Sequence, residues 1–204
     1  MPKRIISYKK AKRLYKDNCR ANPKFKSDTF IHFYIDDDRF DSKIAGIWTN
    51  PNKFFKIASH FAGIIGPDFS IYADFPDPLK RFQVYKMRAF EFACSRHNIP
   101  VIINARWGPP STWKYTIDEL PTNSMLAIGS VASRLKYLEN RYAFEAGFSH
   151  LLKEKSPHTL IVVGSASYSC FEKAKKQGVQ ILQFDGDTAH YYKQKQEVNY
   201  VKIR

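Results

Sequence analysis

Short apolar runs alternate along this chain with longer segments whose apolar positions fall three and four apart. That alternation predicts strand, helix and strand again for most of its length. "TFIHFYID", from Thr29, is β-branched and aromatic and predicts the first strand. Asn50–Pro51 then supplies a cap and a first-turn proline for a helix over "NKFFKIASHF". Strand character returns from Gly63 to Ile71. Asp77–Pro78 repeats the cap-and-proline signature and opens a long helix ending near His97–Asn98, in which Leu79, Phe82, Tyr85, Ala89 and Ala93 share a face. "PVIINARW", "MLAIGS", "TLIVVG" and "VQILQF" follow as four more strands. A helix carrying Phe144, Phe148, Leu151 and Leu152 separates the fourth strand from the fifth. A shorter one, capped by Ser167 or Ser169 and ended by Gly178, separates the fifth from the sixth.

Such alternation argues for an α/β fold with a mainly parallel, six-stranded sheet flanked by helices. The body, residues 28–189, is short of the roughly 250 residues of a full eight-unit barrel. An open doubly wound sheet is therefore expected, with a partial β/α barrel as the alternative. Gly108 to Ser124 is the one long irregular connection, and such insertions are often functional.

Charge changes the picture at the two ends. The net charge is +14, of which residues 1–27 carry +9 and residues 190–204 carry +3. The first segment is expected to be a basic N-terminal arm, and the last a basic C-terminal tail. Ser7 followed by "YKKAKRLYKDNCR" can form a short capped helix with little apolar face, broken by Asn22–Pro23. Lys3, Arg4, Lys9, Lys10, Lys12, Arg13, Lys16 and Arg20 make this arm the expected nucleic-acid-binding segment, DNA or RNA, because neutralised phosphates release condensed counterions. A solvated tail that only aids solubility is the plain alternative. No apolar run approaches the roughly 18–20 residues of a membrane span, and no signal-peptide core follows the basic N-terminus, so a cytoplasmic location without a membrane partner is expected. Cys19, Cys94 and Cys170 are odd in number and far apart, which suggests neither disulfides nor a zinc knuckle.

In parallel α/β folds ligands collect at the carboxyl ends of the strands, and here most of those ends are polar. The first is followed by Asp36, Asp37, Asp38 and Asp41, and the second carries Asp68, Ser70 and Asp74. The third ends in Asn104, Arg106 and Trp107; the fourth and fifth end in Gly129–Ser130 and Gly164–Ser165; Asp185 and Asp187 follow the sixth. An acid inside an apolar strand, such as Asp68, must be hydrogen-bonded or used. Asp37, Asp68, Asp74 and Arg106 are the candidate catalytic residues, and Asp37 with Asp68 the candidate holders of Mg²⁺, whose shell substrate phosphates could complete. Arg106 beside Trp107 suits an anion next to a flat ring, unless the arginine only pairs with an aspartate. Ser70, Asn104, Trp107, Gly129, Ser130, Gly164 and Ser165 complete the candidate ligand set. The two Gly-Ser turns are either tight corners or anion-binding nests, and neither matches a dinucleotide or P-loop signature. The six histidines show no metal spacing, and no GxSxG elbow is present.

The pieces "FIHFYIDD", "NPNKFF", "GIIGPDFSIYADFP", "RFQVYKMRAFEFA", "VIINARWG", "LPTNSMLAIGSVA", "NRYAFEAGFSHLL" and "LIVVGSA" together resemble an uncharacterised family, a domain of unknown function found in phages, integrative elements and bacteria. The resemblance covers about residues 28 to 185 and leaves the basic N-terminal segment outside. Where that family tends to carry Asn before a Tyr-Arg pair in the long helix, this chain has "VYKMR", with Arg88 nearest. The resemblance implies a phage or mobile-element setting and no particular activity. The expected function is nucleic-acid binding through the basic ends, with a strand-end pocket for a nucleotide or phosphodiester and Mg-dependent phosphoester chemistry as its enzymatic form. The rival is a non-enzymatic protein that binds or blocks a host protein or ribonucleoprotein.

Overall fold

Each apolar run pairs with the next one along the chain, because the intervening helix returns the backbone to the start of a parallel neighbour. The computed structural model describes residues 1–44, 46–131, 133–189 and 191. These residues form one all-parallel sheet of seven strands in chain order: β1 (Ile5–Ser7), β2 (Ser27–His32), β3 (Phe61–Ile65), β4 (Val101–Asn104), β5 (Met125–Gly129), β6 (Thr159–Val163) and β7 (Gln180–Phe184). The connections carry α1 (Tyr8–Cys19), α2 (Pro51–Ala58), α3 (Asp77–Arg96), α4 (Trp113–Thr116), α5 (Leu138–Lys155) and α6 (Ser169–Lys176), with short 3-10 turns at Asp37–Arg39 and Pro110–Thr112. Among the described residues no helix is long and apolar enough to cross a membrane.

A strictly sequential strand order contains no point at which the winding reverses, so right-handed crossovers place the helices on one face. The packing follows this rule. Tyr8, Phe33, Phe54, Met87 and Phe90 join the helices to the β1–β3 half, and Leu126, Phe148, Leu160 and Phe171 join them to the β4–β7 half. The opposite face holds a third cluster, Tyr34, Ile65, Ile102, Ala127, Ile161 and Val163, made of strand residues and one immediate continuation. In β6 the period of two is plain: Leu160 and Val162 face the helices, Ile161 and Val163 the interior.

The interior closes because the sheet curls. Seven strands laid flat would hold β1 and β7 about 29 Å apart. Instead Ser7, at the end of β1, donates its hydroxyl hydrogen to Asp187, three residues beyond β7, at 2.6 Å. Likewise the Tyr34 ring, just past β2, reaches β5 so closely that a Cβ on Gly129 would lie 2.6 Å from it. The α/β class and the parallel sheet are as expected. The winding is not the expected doubly wound one but that of the alternative, the partial barrel, and the strands number seven rather than six.

The additional strand comes from residues 1–27. Ile5 and Ile6 are too short an apolar run to signal a strand, but Ile5–Ser7 pair in parallel with Phe30–His32. Ser7 also caps α1, accepting from the Lys10 N–H, and Tyr8 and Ala11 are buried against the core. The segment expected as an arm is thus built into the sheet. The tail expected over 190–204 lies, apart from Tyr191, outside the described residues. In α3 the inward face is Val84, Met87, Phe90 and Cys94, while Leu79, Phe82 and Tyr85, of the face read from the apolar spacing, are exposed. α6 is preceded by Tyr168, with no side-chain cap from either serine.

Candidate functional site

The site grows from the last residue of β4. Asn104 is buried on the inner face of the curl, where its side-chain amide donates to Asp68 at 3.0 Å and to the Pro67 carbonyl at 2.9 Å. Its amide oxygen accepts from the Tyr34 hydroxyl at 2.9 Å. Two residues on, and so on the same side of the extended backbone, Arg106 donates to the other Asp68 oxygen at 2.8 Å. Ser70, two beyond Asp68, gives its N–H at 3.1 Å and its hydroxyl at 2.9 Å to Asp37. The ends of β2, β3 and β4 are thereby tied into one network.

A second layer fixes Asn104 from the helix side. Glu91 of α3 accepts the Asn104 N–H at 3.0 Å and a guanidinium hydrogen of Arg88 at 2.7 Å, and Arg88 donates in turn to the Asn104 carbonyl at 2.6 Å. Both sides of one residue's backbone are held by a single Arg–Glu pair. Burial pushes the Glu91 carboxyl up to about 7 against the pull of Arg88. At the front, burial also raises Asp37 above the usual carboxylate range; the Ser70 hydrogen bonds oppose that shift and the Asp68 charge adds to it. The charge of Asp68 raises Arg106 further. A carboxyl with a raised pKa beside an arginine–aspartate pair can hold or release a proton at the mouth of the curl.

Two cavities flank Arg106. The polar one, about 390 Å³, is lined by Asp37, Asp68, Ser70, Arg39, Lys9 and Asp187 as well as Arg106. The apolar one, about 370 Å³, lies between the β4 loop and α5, against Ile71, Trp107, Trp113, Ile128 and Phe144. Trp107 fits there because residue 147 is glycine: a Cβ on Gly147 would lie 2.3 Å from the indole.

The remaining expected residues are placed as follows. Asp74 is exposed and lines neither cavity. Gly129 lines the apolar one. Gly164 has φ +118°, a conformation that favours glycine, and its N–H donates to Phe184 at 2.8 Å. Ser130 donates to the Ser165 carbonyl at 2.8 Å, and the Ser165 hydroxyl meets that of Ser167 at 2.7 Å. α6 begins only at Ser169. These turns are tight corners stitched to each other, and the strand-end cavities lie elsewhere. Neither Ser130, Gly164 nor Ser165 lines them.

Asp37 and Asp68 do converge on the polar cavity, but the donor set does not fit a dedicated Mg²⁺ site. Both Asp68 oxygens already accept hydrogen bonds, one from a guanidinium, so a dication there would displace Arg106 or share the space with it. Among the described residues no three His, Cys, Asp or Glu groups cluster as metal ligands do.

The expected basic residues lie in α1 or immediately beside β1 and α1. Lys3, Lys9, Lys16 and Arg20 are exposed, whereas Arg4 pairs with Asp28, Lys10 with Asp187 at 2.9 Å and Arg13 loosely with Asp17 at 3.6 Å. Lys12 donates to the Arg39 carbonyl at 3.1 Å. Its pKa is lowered by burial and then by the charges of Lys53 in α2 and Arg39. Sequence reasoning passed over Tyr34, Arg39 and Glu91. The parity of "FIHFYID" already sets Tyr34 on the side of His32, but nothing local says that this side is the inside of a curl.

Fold and site together define an α/β protein of partial-barrel architecture with a ligand-sized polar cavity at the carboxyl mouth of its sheet. Residues 1–185 match the family described as Domain of unknown function (DUF4417), and the chain belongs to it. The match begins at residue 1, so the basic N-terminal segment lies within the family unit, in keeping with its place in the sheet. The "Gene 1 protein" of Mycobacterium phage D29 is 28% identical over 138 residues, which is 68% of this chain and 49% of that relative. The "Gene 1 protein" of Mycobacterium phage L5 is 27% identical over 139 residues, 68% of this chain and 58% of that relative. The chain therefore spans about half the length of these curated relatives. No solved structure matches it. It is a phage-type protein of this family.

Proposed function

We propose that the protein binds a nucleic-acid strand on its basic face and receives one nucleotide of that strand in the strand-end pocket. The observation that carries this reading is the convergence of cations from three elements. Burial depresses Lys12 of α1, and the nearby charges of Lys53 of α2 and Arg39 of the turn after β2 depress it further; Arg39 with Lys9 also lines the polar cavity. Like charges held together at a cost are relieved by a polyanion, and each phosphate they neutralise adds to the entropy of counterion release. Asp37, held by Ser70 beside the Asp68–Arg106 pair, is the group best placed to move a proton at a bound nucleotide.

Anisotropy of a labelled single-stranded oligonucleotide, measured across a salt series, tests the reading. Binding should weaken with a log–log slope of about −0.7 per phosphate engaged, and Lys12→Glu with Lys53→Glu should flatten the slope by at least one to two such contacts. An oligonucleotide that fails to bind at low salt, or a double variant that binds like the parent, would overturn it.

A second reading has one observation in its favour. Phe82, Tyr85 and Phe92 are exposed along α3, and exposed aromatic side chains on one helix suit a protein partner. Photocrosslinking from position 85 in a host extract would give a discrete protein adduct under that reading.

A further inference from the structure

We propose that the apolar cavity is a socket for one nucleobase, so that a nucleotide lies across Arg106 with its ring against the tryptophans and its sugar in the polar cavity. The inference rests on the strand-end pocket being a nucleotide site, and it assigns the neighbouring cavity the part that recognises the ring.

The walls are built for a flat ring. Trp113 is held by a hydrogen bond from its indole N–H to the Gly108 carbonyl at 3.2 Å and by stacking on His150 at 4.6 Å. Trp107 is held against Phe144 at 5.1 Å, in the space left by Gly147. Rigid aromatic walls cost little entropy on binding and stack on any base. A volume of about 370 Å³ falls within the range of small-ligand pockets.

The polar groups at the rim narrow the ligand class. Arg106 donates to Asp68 through one nitrogen, and among the described residues its other nitrogens donate to no protein group. A wholly apolar ligand would leave these donors unmatched as it excluded water from them. A compact anion would sit beside the carboxylates of Asp37 and Asp68 in the adjoining cavity, where like charges repel. A heterocycle on a neutral sugar satisfies both sides: ring acceptors meet the free donors, sugar hydroxyls donate to the carboxylates, and a 5′-phosphate would extend toward Lys9 and Arg39 at the basic edge.

Quenching of tryptophan fluorescence by adenosine, AMP, CMP, GMP and UMP, with calorimetry on any that bind, provides the test. Ala143 and Ala146 line the socket from α5 yet are exposed, so Ala143→Phe and Ala146→Phe plug it without touching the core. The expected result is saturable binding of at least one nucleotide, weakened about tenfold or more by either plug, the size of a lost stacking contact. Under the same expectation Lys12→Glu/Lys53→Glu weakens oligonucleotide binding but leaves the affinity for mononucleotide unchanged. If the oligonucleotide does not bind and the mononucleotide does so in a plug-sensitive way, the socket stands and the basic-face reading falls. Absence of mononucleotide binding at millimolar concentration, or binding that both plugs leave unchanged, overturns the socket.

Discussion

Glu91 shows how one side chain can set the geometry of a site it does not line. Its carboxyl is buried, yet through the Asn104 N–H it fixes the strand end that in turn orients Asp68 and Tyr34. Burial pushes it up to about 7, whereas in an unfolded chain a glutamate titrates near 4.3. Between those values the folded protein keeps a proton that the unfolded chain has lost. The stability this contributes is complete below the unfolded value and is lost as pH rises through about 7. Glu91→Gln removes the titration. From pH 5 to pH 8 the melting temperature of the parent should therefore fall relative to that of the variant, with a swing on the order of 3 kcal/mol. Parallel curves would show that Glu91 is already ionised in the folded state at pH 5. Asp68, Asn104 and Arg106 were legible from sequence because polar groups that close apolar strands have few other uses. Glu91 was not legible, because an Arg88–Glu91 pair three residues apart on a helix has the pattern of an ordinary surface pair until α3 is laid against β4.

Among the elements, α3 departs furthest from its periodicity. Two apolar stripes run along its twenty residues, and the one legible as a shared face, beginning Leu79, Phe82 and Tyr85, is exposed at those three residues. The buried stripe is disguised by Lys80 and Lys86. Both lysines bury their stems and deliver their ammonium groups to specific partners, Lys80 to the Ala73 carbonyl at 2.7 Å and Lys86 to Asp41 at 2.6 Å. Hydropathy cannot distinguish such a lysine from a solvated one, because the partner lies in a loop outside the helix, seven residues back for Lys80 and forty-five for Lys86. A pair of truncations separates the faces. Phe90 is 2% exposed and packs on Phe33 and Phe54, so Phe90→Ala should cost about 3–5 kcal/mol. Phe82, at 47% exposure and touching Trp48 edge-on, should cost about 1 kcal/mol or less on the same change. Thermal unfolding reads the difference, since 1 kcal/mol shifts the midpoint by about 2–4 °C in a domain of this size. Equal losses would mean that the exposed stripe is covered in solution.

Over the whole molecule, the curl determines which residues can meet, and the curl was the part least available to the sequence. Strand-and-helix alternation establishes parallel pairing but leaves open whether the sheet opens flat or bends round. That depends on contacts between residues far apart in the chain, such as Tyr34 against Gly129 and Ser7 with Asp187. The latter contact spans the two edges of the sheet: Ser7 and Lys10 belong to the β1 side, Asp187 to the β7 side. Because these edge strands are not paired to each other in the sheet order, side chains do there what a ladder does in a closed barrel. Burial alone would raise the Asp187 carboxyl, but the hydrogen bonds from Ser7 and Lys10 and the charge of Lys10 outweigh it and hold the pKa below the usual range. The stability so gained is present above the unfolded pKa and is lost as pH falls through the lower, folded value. Asp187→Ala removes the latch at neutral pH without needing that acid. In hydrogen exchange, the amides of β1 and β7 should then open faster while those of β5 and β6, in the middle of the sheet, keep their protection. Unchanged exchange at both edges would assign the curl to the interior cluster alone. Faster exchange confined to the edges would show that the contact made by Asp187, which also lines the polar cavity, holds the two ends of the sheet together.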